Sequence, residues 1–284
     1  MASLYALLAA IVYGAADFLG GMATRRATMI GAVLTTQGSG LLFLLLVTPL
    51  LPDAVVSRHD AAFGALAGLT GSTGVALLYL ALAIGPMSVV APITAVCAAI
   101  VPMLIGLALG ERPQPLAGVG VLLALGSVAL LGQSETPDAG TAGGPARLGR
   151  GVRVALASGV AIGGFFTALA QTSAAAVLWP LAISRLVSVT VFLTIALAGG
   201  RPAGVPRAAL APALACGALD MVANALYLAA ARQGQLGLVA TLASLYPAST
   251  VLLARIVLGE RLGRWQQVGV AGAVAAIVLI VGNS

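Results

Sequence analysis

The sequence predicts an all-α integral membrane protein in which ten transmembrane helices form two inverted five-helix repeats. Three observations predict this fold class: the composition, ten long apolar runs and an internal duplication. Of the 284 residues, 60% are hydrophobic and only 8% are charged, whereas soluble domains are about 25% charged. So few charges could not cover the surface of a soluble protein of this size, and lipid is therefore the expected surrounding.

The charged residues and the cysteines argue against several other classes of protein. The net charge of +6 comes from arginine alone, and the arginines lie singly or in small groups between apolar runs, as topology-setting loop charges do. This distribution gives no support to nucleic-acid binding. Cys97 and Cys216 lie within apolar runs and His59 lies in a charged loop, so we expect neither a metal site nor a disulfide. The sequence contains no Walker A motif, and we expect no cofactor.

The apolar runs have the length of membrane-spanning helices. A helix that crosses about 30 Å of hydrocarbon needs about 20 apolar residues. The first run is expected to remain as a helix rather than to be removed as a signal peptide, because no basic residue precedes it and Tyr13 and Asp17 lie in its second half. Charged residues, proline or glycine separate the ten runs, which are 3–23, 29–50, 62–83, 87–109, 114–132, 151–171, 176–198, 207–231, 235–258 and 265–282.

A polar stretch near the middle of the chain divides the runs into two sets of five. Residues 133–150 (QSETPDAGTAGGPARLGR) are rich in glycine, proline, threonine and alanine, which is typical of a flexible linker. We therefore expect one five-helix unit at 1–132 and a second at 151–284. Most loop arginines follow odd-numbered runs, which favours both termini outside the cell. The expected location is the inner (plasma) membrane, as a multi-pass protein.

The two units are related by duplication. The sequence Leu-Gly-Glu-Arg at 109–112 recurs at 258–261, an offset of 149 residues. Both units also place proline in their fourth run, where it permits bending: Pro92, Pro102 and Pro247. Because five is odd, two consecutive five-helix units enter the membrane in opposite directions, which is the inverted-repeat plan of secondary transporters. The alternative is that duplication only enlarged a structural membrane protein.

These repeated motifs resemble those of the EamA-type transporters in the drug/metabolite transporter superfamily. Each Gly-Glu-Arg turn is followed by a glycine nine residues after its glutamate (Gly120 and Gly269), and the pairs Gly85–Pro86 and Tyr13–Gly14 also fit. The resemblance covers essentially the whole chain. It implies a central cavity lined by helices 1, 3, 4, 6, 8 and 9, and solutes such as amino acids, sugars, nucleotide derivatives and drugs. Asp17 departs from the pattern, since many relatives carry an uncharged residue there.

Charged and polar residues inside the predicted helices are candidates for a functional site. A charge at a helix centre costs about 2.5–3.5 kcal/mol on insertion scales, so such residues usually face a cavity or a partner. Asp17 shares a helix face with Tyr13, which fits a proton carrier or cation contact, and equally a buried ion pair or a position at the membrane edge. Asp220, Asn224 and Tyr227 form a polar stripe, which fits a cavity lining or hydrogen bonds between helices.

The other candidates have a structural alternative as well. Arg185 needs an acceptor, which could be a substrate carboxylate or phosphate, or a permanent partner such as Asp17 or Asp220. Alternatively, its long side chain could reach the membrane interface. Glu111 and Glu260 lie at equivalent helix ends and are expected to stabilise turns rather than to contact solute. The remaining cavity-lining candidates are uncharged, and the hydroxyl groups among them could bond their own helix backbone: Thr73, Tyr79, Thr94, Thr167, Gln171, Thr241 and Ser244.

The sequence favours a secondary-active transporter that exports a small organic metabolite or drug by alternating access. Asp17 and Asp220 are the candidates for proton coupling. The alternatives are a non-transporting membrane scaffold and a lipid-modifying enzyme, although no nucleophile or metal ligands cluster as an active site requires. The expected partners are a small-molecule substrate and the bilayer, in a monomer or homodimer. Faces of small residues would either join the two units or mediate a dimer: Gly120 with Ala124, and Gly269 with Ala273.

Overall fold

The structure is a computed structural model that describes residues 1–51, 53–84, 87–131, 145–200, 204–258 and 263–283. Within these ranges, the side chains at 79, 82–83, 87–89, 91–92, 145–148 and 258 are not part of the description. All regular secondary structure in the described residues is helical. The α-helices are α1 (Ala2–Thr24), α2 (Met29–Val47), α3 (Arg58–Ile84), α4 (Met87–Ala108), α5 (Pro115–Leu131), α6 (Pro145–Ala170), α7 (Trp179–Ala198), α8 (Arg207–Ala231), α9 (Leu236–Ala243), α10 (Tyr246–Leu258) and α11 (Arg264–Val281).

The helices have the length and apolar character of a multi-pass membrane protein. Among the described residues, eight segments are long and apolar enough to cross a bilayer, and α9 and α10 together form one of them, Leu236–Val257. Two further apolar helical segments, Ile93–Ala108 and Pro115–Leu131, are shorter. At 1.5 Å per residue, the 17 residues of α5 extend about 26 Å, slightly less than the hydrocarbon thickness.

Two helices differ from the predicted boundaries. The ninth run is not one helix, because α9 ends and α10 begins on either side of Ser244–Leu245. Pro247 has no N–H to donate to the carbonyl four residues earlier, and the chain turns just before it, where Leu245 N instead donates to Leu242 O at 3.2 Å. The sixth helix begins at Pro145, within the predicted linker 133–150. Residues 133–144 of that linker lie outside the described residues.

The helix positions repeat with the offset found in the sequence. Helices α8, α9 and α11 begin at residues 207, 236 and 264, each 149 residues after the starts of α3, α4 and α5 at 58, 87 and 115. The packing repeats as well. Helix α1 packs on α8 as its counterpart α6 packs on α3, and α2 contacts α8 as α7 contacts α3. The two units are therefore interleaved, and exchanging them leaves these main helix contacts unchanged.

The small-residue faces of α5 and α11 join the two units within one chain. Gly120 and Gly269 are buried between these helices. A Cβ at Gly120 would lie 2.8 Å from Ile280 Cγ1, and a Cβ at Gly269 would lie 3.0 Å from Ser127 O. Ala124 and Ala273 are also buried on these faces. The two backbones approach so closely that only small residues fit, as expected for helix packing in lipid.

Candidate functional site

A buried ion pair joins α7 and α8 in the interior of the helix bundle. Nη2 of Arg185 donates to Oδ2 of Asp220 at 2.7 Å, and the Arg185 side chain is 9% exposed. The second terminal nitrogen, Nη1, donates to Oε1 of Gln37 in α2. Of the partners that the sequence left open for Arg185, the structure therefore selects Asp220. Because a buried guanidinium loses its hydration, these two acceptors are what makes its burial tolerable.

Neighbouring side chains extend this polar centre. Asn224, one turn along α8, donates through Nδ2 to the backbone carbonyl of Asp220 at 2.7 Å and to its Oδ1 at 3.2 Å. The ring of Phe165 lies 6.0 Å from Cζ of Arg185, within the range of a cation–π contact. Within the described residues, Arg185 Nε and Asn224 Oδ1 are buried without a hydrogen-bond partner. The polar centre thus retains one donor and one acceptor that the protein itself does not use.

An aromatic cluster lies beside the polar centre and connects α1, α6, α8 and α10. The ring of Tyr13 is 6.1 Å from that of Phe166 and 6.3 Å from that of Tyr246, and Phe166 is 4.7 Å from Tyr227. Tyr227 is fully buried, and its hydroxyl donates to the carbonyl of Phe166 at 3.3 Å. The hydroxyl of Tyr13 is buried and has no hydrogen-bond partner among the described residues. An unpartnered buried hydroxyl is costly unless water or a ligand reaches it.

Asp17 is exposed although it lies on the inward face of α1. It shares that face with Ala6, Ala10 and Tyr13, which are buried. The opposite face carries exposed large apolar residues that suit contact with lipid: Leu4, Leu8 and Ile11. Within the described residues, no hydrogen bond or ion pair holds the Asp17 carboxylate, which is close enough to Asp220 and Tyr246 to interact with them electrostatically. Solvent therefore reaches the bundle interior at Asp17.

The opening lies toward the Thr24 end of α1. Inward-facing residues near the start of this helix are buried, whereas Asp17 and Gly21 are exposed, and a Cβ at Gly21 would meet no atom within 4 Å. The start of α1 lies beside the α8–α9 turn, since a Cβ at Gly234 would be 2.6 Å from Ala2 Cβ. We call the end of the bundle that contains Thr24 the open end, and the end that contains Ala2 and the α8–α9 turn the tied end.

Asp60 joins the two repeats at the tied end. Its Oδ1 accepts from the backbone N–H of Ser173 at 2.7 Å. Its Oδ2 accepts from the hydroxyl of Ser173 at 3.1 Å, and from the hydroxyl and backbone N–H of Ser57 at 2.6 and 3.0 Å. Asp60 lies in the first turn of α3 and Ser173 follows α6, so one buried carboxylate connects the first unit to the second. We call this cluster the Asp60 tie.

Arg232 adds to the Asp60 tie from the end of α8. Its Nη2 donates to the carbonyls of Ser173 at 2.6 Å and Val177 at 3.1 Å. Burial lowers the pKa of the Arg232 guanidinium, and the negative charge of Asp60 raises it in turn. Val177 has a positive φ of 48°, an uncommon conformation for a β-branched residue. The arginine thus holds the α6–α7 connection against the end of α8.

Glu111 forms a second contact between the repeats at the tied end. Its carboxylate accepts from the backbone N–H groups of Leu236 at 2.5 Å and Gly237 at 3.0 Å, which are the first two residues of α9. A carboxylate at this position satisfies unpaired donors and interacts favourably with the helix dipole. The expected structural role of Glu111 therefore extends across the repeat interface. A cavity of about 160 Å³ beside it is mostly apolar and separate from Asp17 and Asp220. Glu260 lies outside the described residues.

The other predicted site residues are distributed differently. Thr94 and Thr241 are buried between helices, where they donate to the carbonyls of Ala155 at 3.2 Å and Gly237 at 2.8 Å. Ser244 likewise donates to a backbone carbonyl, as does Thr167 in α6. Gln171 is partly buried at the end of α6 and Thr73 is exposed on α3, while the Tyr79 side chain lies outside the described residues. None of those whose side chains are described joins the contacts around Arg185 and Asp220.

Sequence analysis missed two contributors to this site. Gln37 was not considered, although an amide side chain inside an apolar run is costly in lipid and usually has a buried partner. Phe166 was missed because an aromatic residue in an apolar run resembles an ordinary core residue. Only the packing of α6 against α1 and α8 reveals its place among the aromatic rings. Within the described residues, no group of three or more His, Cys, Asp or Glu could hold a metal ion.

Comparisons with known proteins agree with this architecture. The profile of the EamA-like transporter family matches residues 1–133 and again residues 149–282. One solved crystal structure matches with a TM-score of 0.78 and 15% sequence identity, over 98% of this chain and 95% of that chain. At this identity the likeness establishes the fold alone. No curated protein matches the chain. Because the family profile accounts for both repeats and nearly the full length, the chain belongs to the EamA-like transporter family.

Proposed function

We propose that this protein is a secondary-active transporter that exports a small organic metabolite or drug across the inner (plasma) membrane by alternating access. Membership of a transporter family supports transport in general. The observation that carries the specific proposal is Asp17, a solvent-exposed carboxylate on the inward face of α1, next to the buried pair of Arg185 and Asp220. A polar centre that solvent reaches from one end is what a solute pathway requires.

The proposal includes ten membrane crossings in two inverted repeats. The equal spacing of helix starts and the exchange of helix contacts between the units support it. Five crossings in each unit would orient the units oppositely, with the solute site between them. The test is to insert accessible tags after Gly110 and after Gly263 and to determine the side on which each is exposed. Tags on opposite sides are expected, and tags on the same side would exclude the inverted arrangement.

Alternating access would proceed by closing the open end and opening the tied end. In this state solvent reaches Asp17 from the open end, while the Asp60 tie and Glu111 hold the repeats together at the tied end. The opposite state requires those contacts to separate. The excess of arginine in loops that follow odd-numbered apolar runs supports a cytoplasmic location for the open end. A state that admits solute from the cytoplasm is the loading state of an exporter.

Asp17 is the stronger of the two candidates for proton coupling. Asp220 is held by Arg185 and Asn224, and its protonation would leave a buried guanidinium without its carboxylate, which costs about 3–5 kcal/mol. Asp17 has no such partner in the described chain, so it can gain and lose a proton without breaking a contact. The ionisable groups around it are Asp220, Arg185, Tyr13 and Tyr246.

The decisive experiment measures solute flux in proteoliposomes with an imposed pH gradient. A thermal-shift screen of amino acids, sugars, nucleosides and antibiotics against the purified protein would select the solutes. We expect wild type and Asp53→Asn, a change in an exposed loop carboxylate, to show flux driven by the gradient. Asp17→Asn should lose the dependence on the gradient. Full gradient-driven flux in Asp17→Asn would exclude Asp17 as the coupling residue, and the absence of flux for every solute that binds would exclude transport.

A further inference from the structure

The geometry points to a small organic cation as the solute of this site, an inference that rests on the proposed transport function. Near the centre of the bundle, the described charged groups are two carboxylates and one guanidinium: Asp17, Asp220 and Arg185. Arg185 and Asp220 neutralise each other in direct contact at 2.7 Å. Asp17 remains as a carboxylate that no hydrogen bond or ion pair holds within the described chain, and it supplies one negative charge when it is ionised. The site is therefore complementary to one positive charge.

Arg185 is poorly placed to receive an anionic solute, because only its buried Nε lacks a partner within the described residues. Both of its terminal nitrogens already donate, one to Asp220 and one to Gln37, and Phe165 lies against its plane. An anion that approached the centre would have to displace Asp220, and it would also meet the field of Asp17. Charges interact more strongly in a partly buried environment than in water, so this repulsion disfavours a carboxylate or phosphate solute.

The closing of the site over its solute adds a second argument. When the open end closes, Asp17 loses its access to water. A buried carboxylate without a counter-charge is strongly unfavourable, so Asp17 must then hold either a cation or a proton. A neutral solute supplies no counter-charge, so Asp17 would have to keep a proton for as long as that solute is bound. A cationic solute supplies the counter-charge directly, and exchange of the solute for a proton keeps the site neutral throughout the cycle.

The aromatic rings next to Asp17 favour an organic cation over a hydrated metal ion. Tyr13 lies one turn along α1 from Asp17, and Tyr246 interacts electrostatically with the Asp17 carboxylate. Aromatic faces attract ammonium groups and also bury their attached hydrocarbon. The Tyr13 hydroxyl is buried without a partner in the described chain, and a polar group on the solute would satisfy it. Carboxylate, aromatic rings and a free hydroxyl thus match an amine or quaternary ammonium with an apolar substituent.

The test compares three ligands that share one ring and differ in charge: benzyltrimethylammonium, benzyl alcohol and benzoate. Equilibrium dialysis of radiolabelled benzyltrimethylammonium with the full-length protein in detergent measures binding, and the other two serve as competitors. We expect saturable binding that neither competitor displaces at equal concentration. Asp17→Asn should weaken binding by about tenfold or more, because it removes a charge-assisted contact. Asp53→Asn should bind as wild type does.

A second pair of variants tests the aromatic contribution. Tyr246→Leu should weaken binding by roughly threefold through loss of a cation–π contact, whereas Tyr246→Phe, which keeps the ring, should not. Displacement by benzoate or benzyl alcohol as effective as by the unlabelled cation would overturn the inference. So would unchanged affinity in Asp17→Asn. If Asp17→Asn does not fold, the selectivity of the wild type among the three ligands still decides the question.

Flux measurements separate this inference from the proposed function. If proteoliposomes transport a neutral or anionic solute and benzyltrimethylammonium does not compete, the transport function stands and the cation assignment fails. If benzyltrimethylammonium binds with the expected dependence on Asp17 but no solute crosses the membrane, the cation site stands and the transport function fails.

Discussion

Replacing Asp60 by asparagine is expected to weaken the tied end without changing the shape of the side chain. In the wild type, the carboxylate accepts four hydrogen bonds, two from Ser57 and two from Ser173. An amide keeps one acceptor oxygen and presents an NH₂ group to the backbone N–H of Ser57 or of Ser173. At least one charge-assisted hydrogen bond is therefore lost. We assign this loss about 1–2 kcal/mol.

That energy sets the expected shift between the two transport states. If the tie forms only when the tied end is closed, a loss of about 1–2 kcal/mol raises the population of the opposite state by about five- to thirtyfold. Thr172 provides the reporter, because it is 4% exposed next to Ser173. A Thr172→Cys variant, with Cys97 and Cys216 replaced by serine, should react with a maleimide only when the tied end opens. Its labelling rate should therefore rise by this factor in Asp60→Asn.

Two controls distinguish opening of the tied end from general effects. The first control is Leu50→Cys. Leu50 is 83% exposed in the wild type, so the labelling rate of a cysteine at this position should not depend on Asp60. Asp53→Asn changes an exposed carboxylate in the loop before α3 and should leave labelling at position 172 unchanged. Equal labelling rates at position 172 in Asp60→Asn and Asp53→Asn would refute the argument that Asp60 holds this end closed.

Three further predictions concern other contacts. Glu111→Gln should destabilise the protein by about 1 kcal/mol through loss of the carboxylate at the α9 N-terminus. The expected readouts are a lower thermal midpoint and faster amide exchange in α9. Unchanged exchange in α9 would contradict the capping role. Gly14→Ala should lower the midpoint, because its Cβ would overlap Ser249 and overpacking costs about 1–3 kcal/mol. The matched change Gly21→Ala should not lower the midpoint, because a Cβ at this position meets no atom within 4 Å. Arg185→Gln and Asp220→Asn should each cost about 3–5 kcal/mol. The double variant should cost less than their sum, and additive losses in chemical denaturation would argue against the pair.

The helices could be predicted from the sequence because lipid leaves the backbone few alternatives. A segment in hydrocarbon must satisfy its hydrogen bonds internally, so an apolar run of sufficient length becomes a helix. The first run, predicted at 3–23, forms Ala2–Thr24, and the last, predicted at 265–282, forms Arg264–Val281. Apolar counting fails where a helix leaves the hydrocarbon. Helix α6 begins at Pro145, within a polar stretch. Polarity does not reveal this helix start, because a helix can also form in water.

The contacts of the site depend on tertiary packing and were less predictable. Spacing alone placed Asp220, Asn224 and Tyr227 on one stripe, yet only Asn224 bonds to Asp220, while Tyr227 bonds to the backbone of α6. The stripe is real, but the rotation of α8 against its neighbours decides what each residue meets. Gln37 and Arg185 come together from α2 and α7. Nothing in the local sequence of either helix specifies that contact.

The duplication explains the scaffold but not the candidate site, because the candidate residues occupy positions that the repeats do not share. At the offset of 149, Asp17 corresponds to Phe166, Asp220 to Gly71, and Arg185 to Thr36. One repeat contributes a carboxylate where the other contributes an aromatic ring, and the two meet in the same cluster through Tyr13. A symmetric scaffold thus holds an asymmetric site, which is what recognition of an asymmetric solute requires.

The same asymmetry accounts for which end is closed. The position that corresponds to Asp60 is Ala209, at the start of α8 and at the open end. Alanine at this position has no carboxylate with which to join the repeats. The described contact nearby is an exposed one, from Nη1 of Arg26 to the carbonyl of Ala208 at 3.4 Å, and exposed contacts of this kind contribute little. Within the described residues, the Asp60 tie, together with Arg232 and Glu111, joins the repeats at the tied end and favours closure there. A transporter built on this plan would rest open at the other end until solute or proton binding at Asp17 shifted the balance.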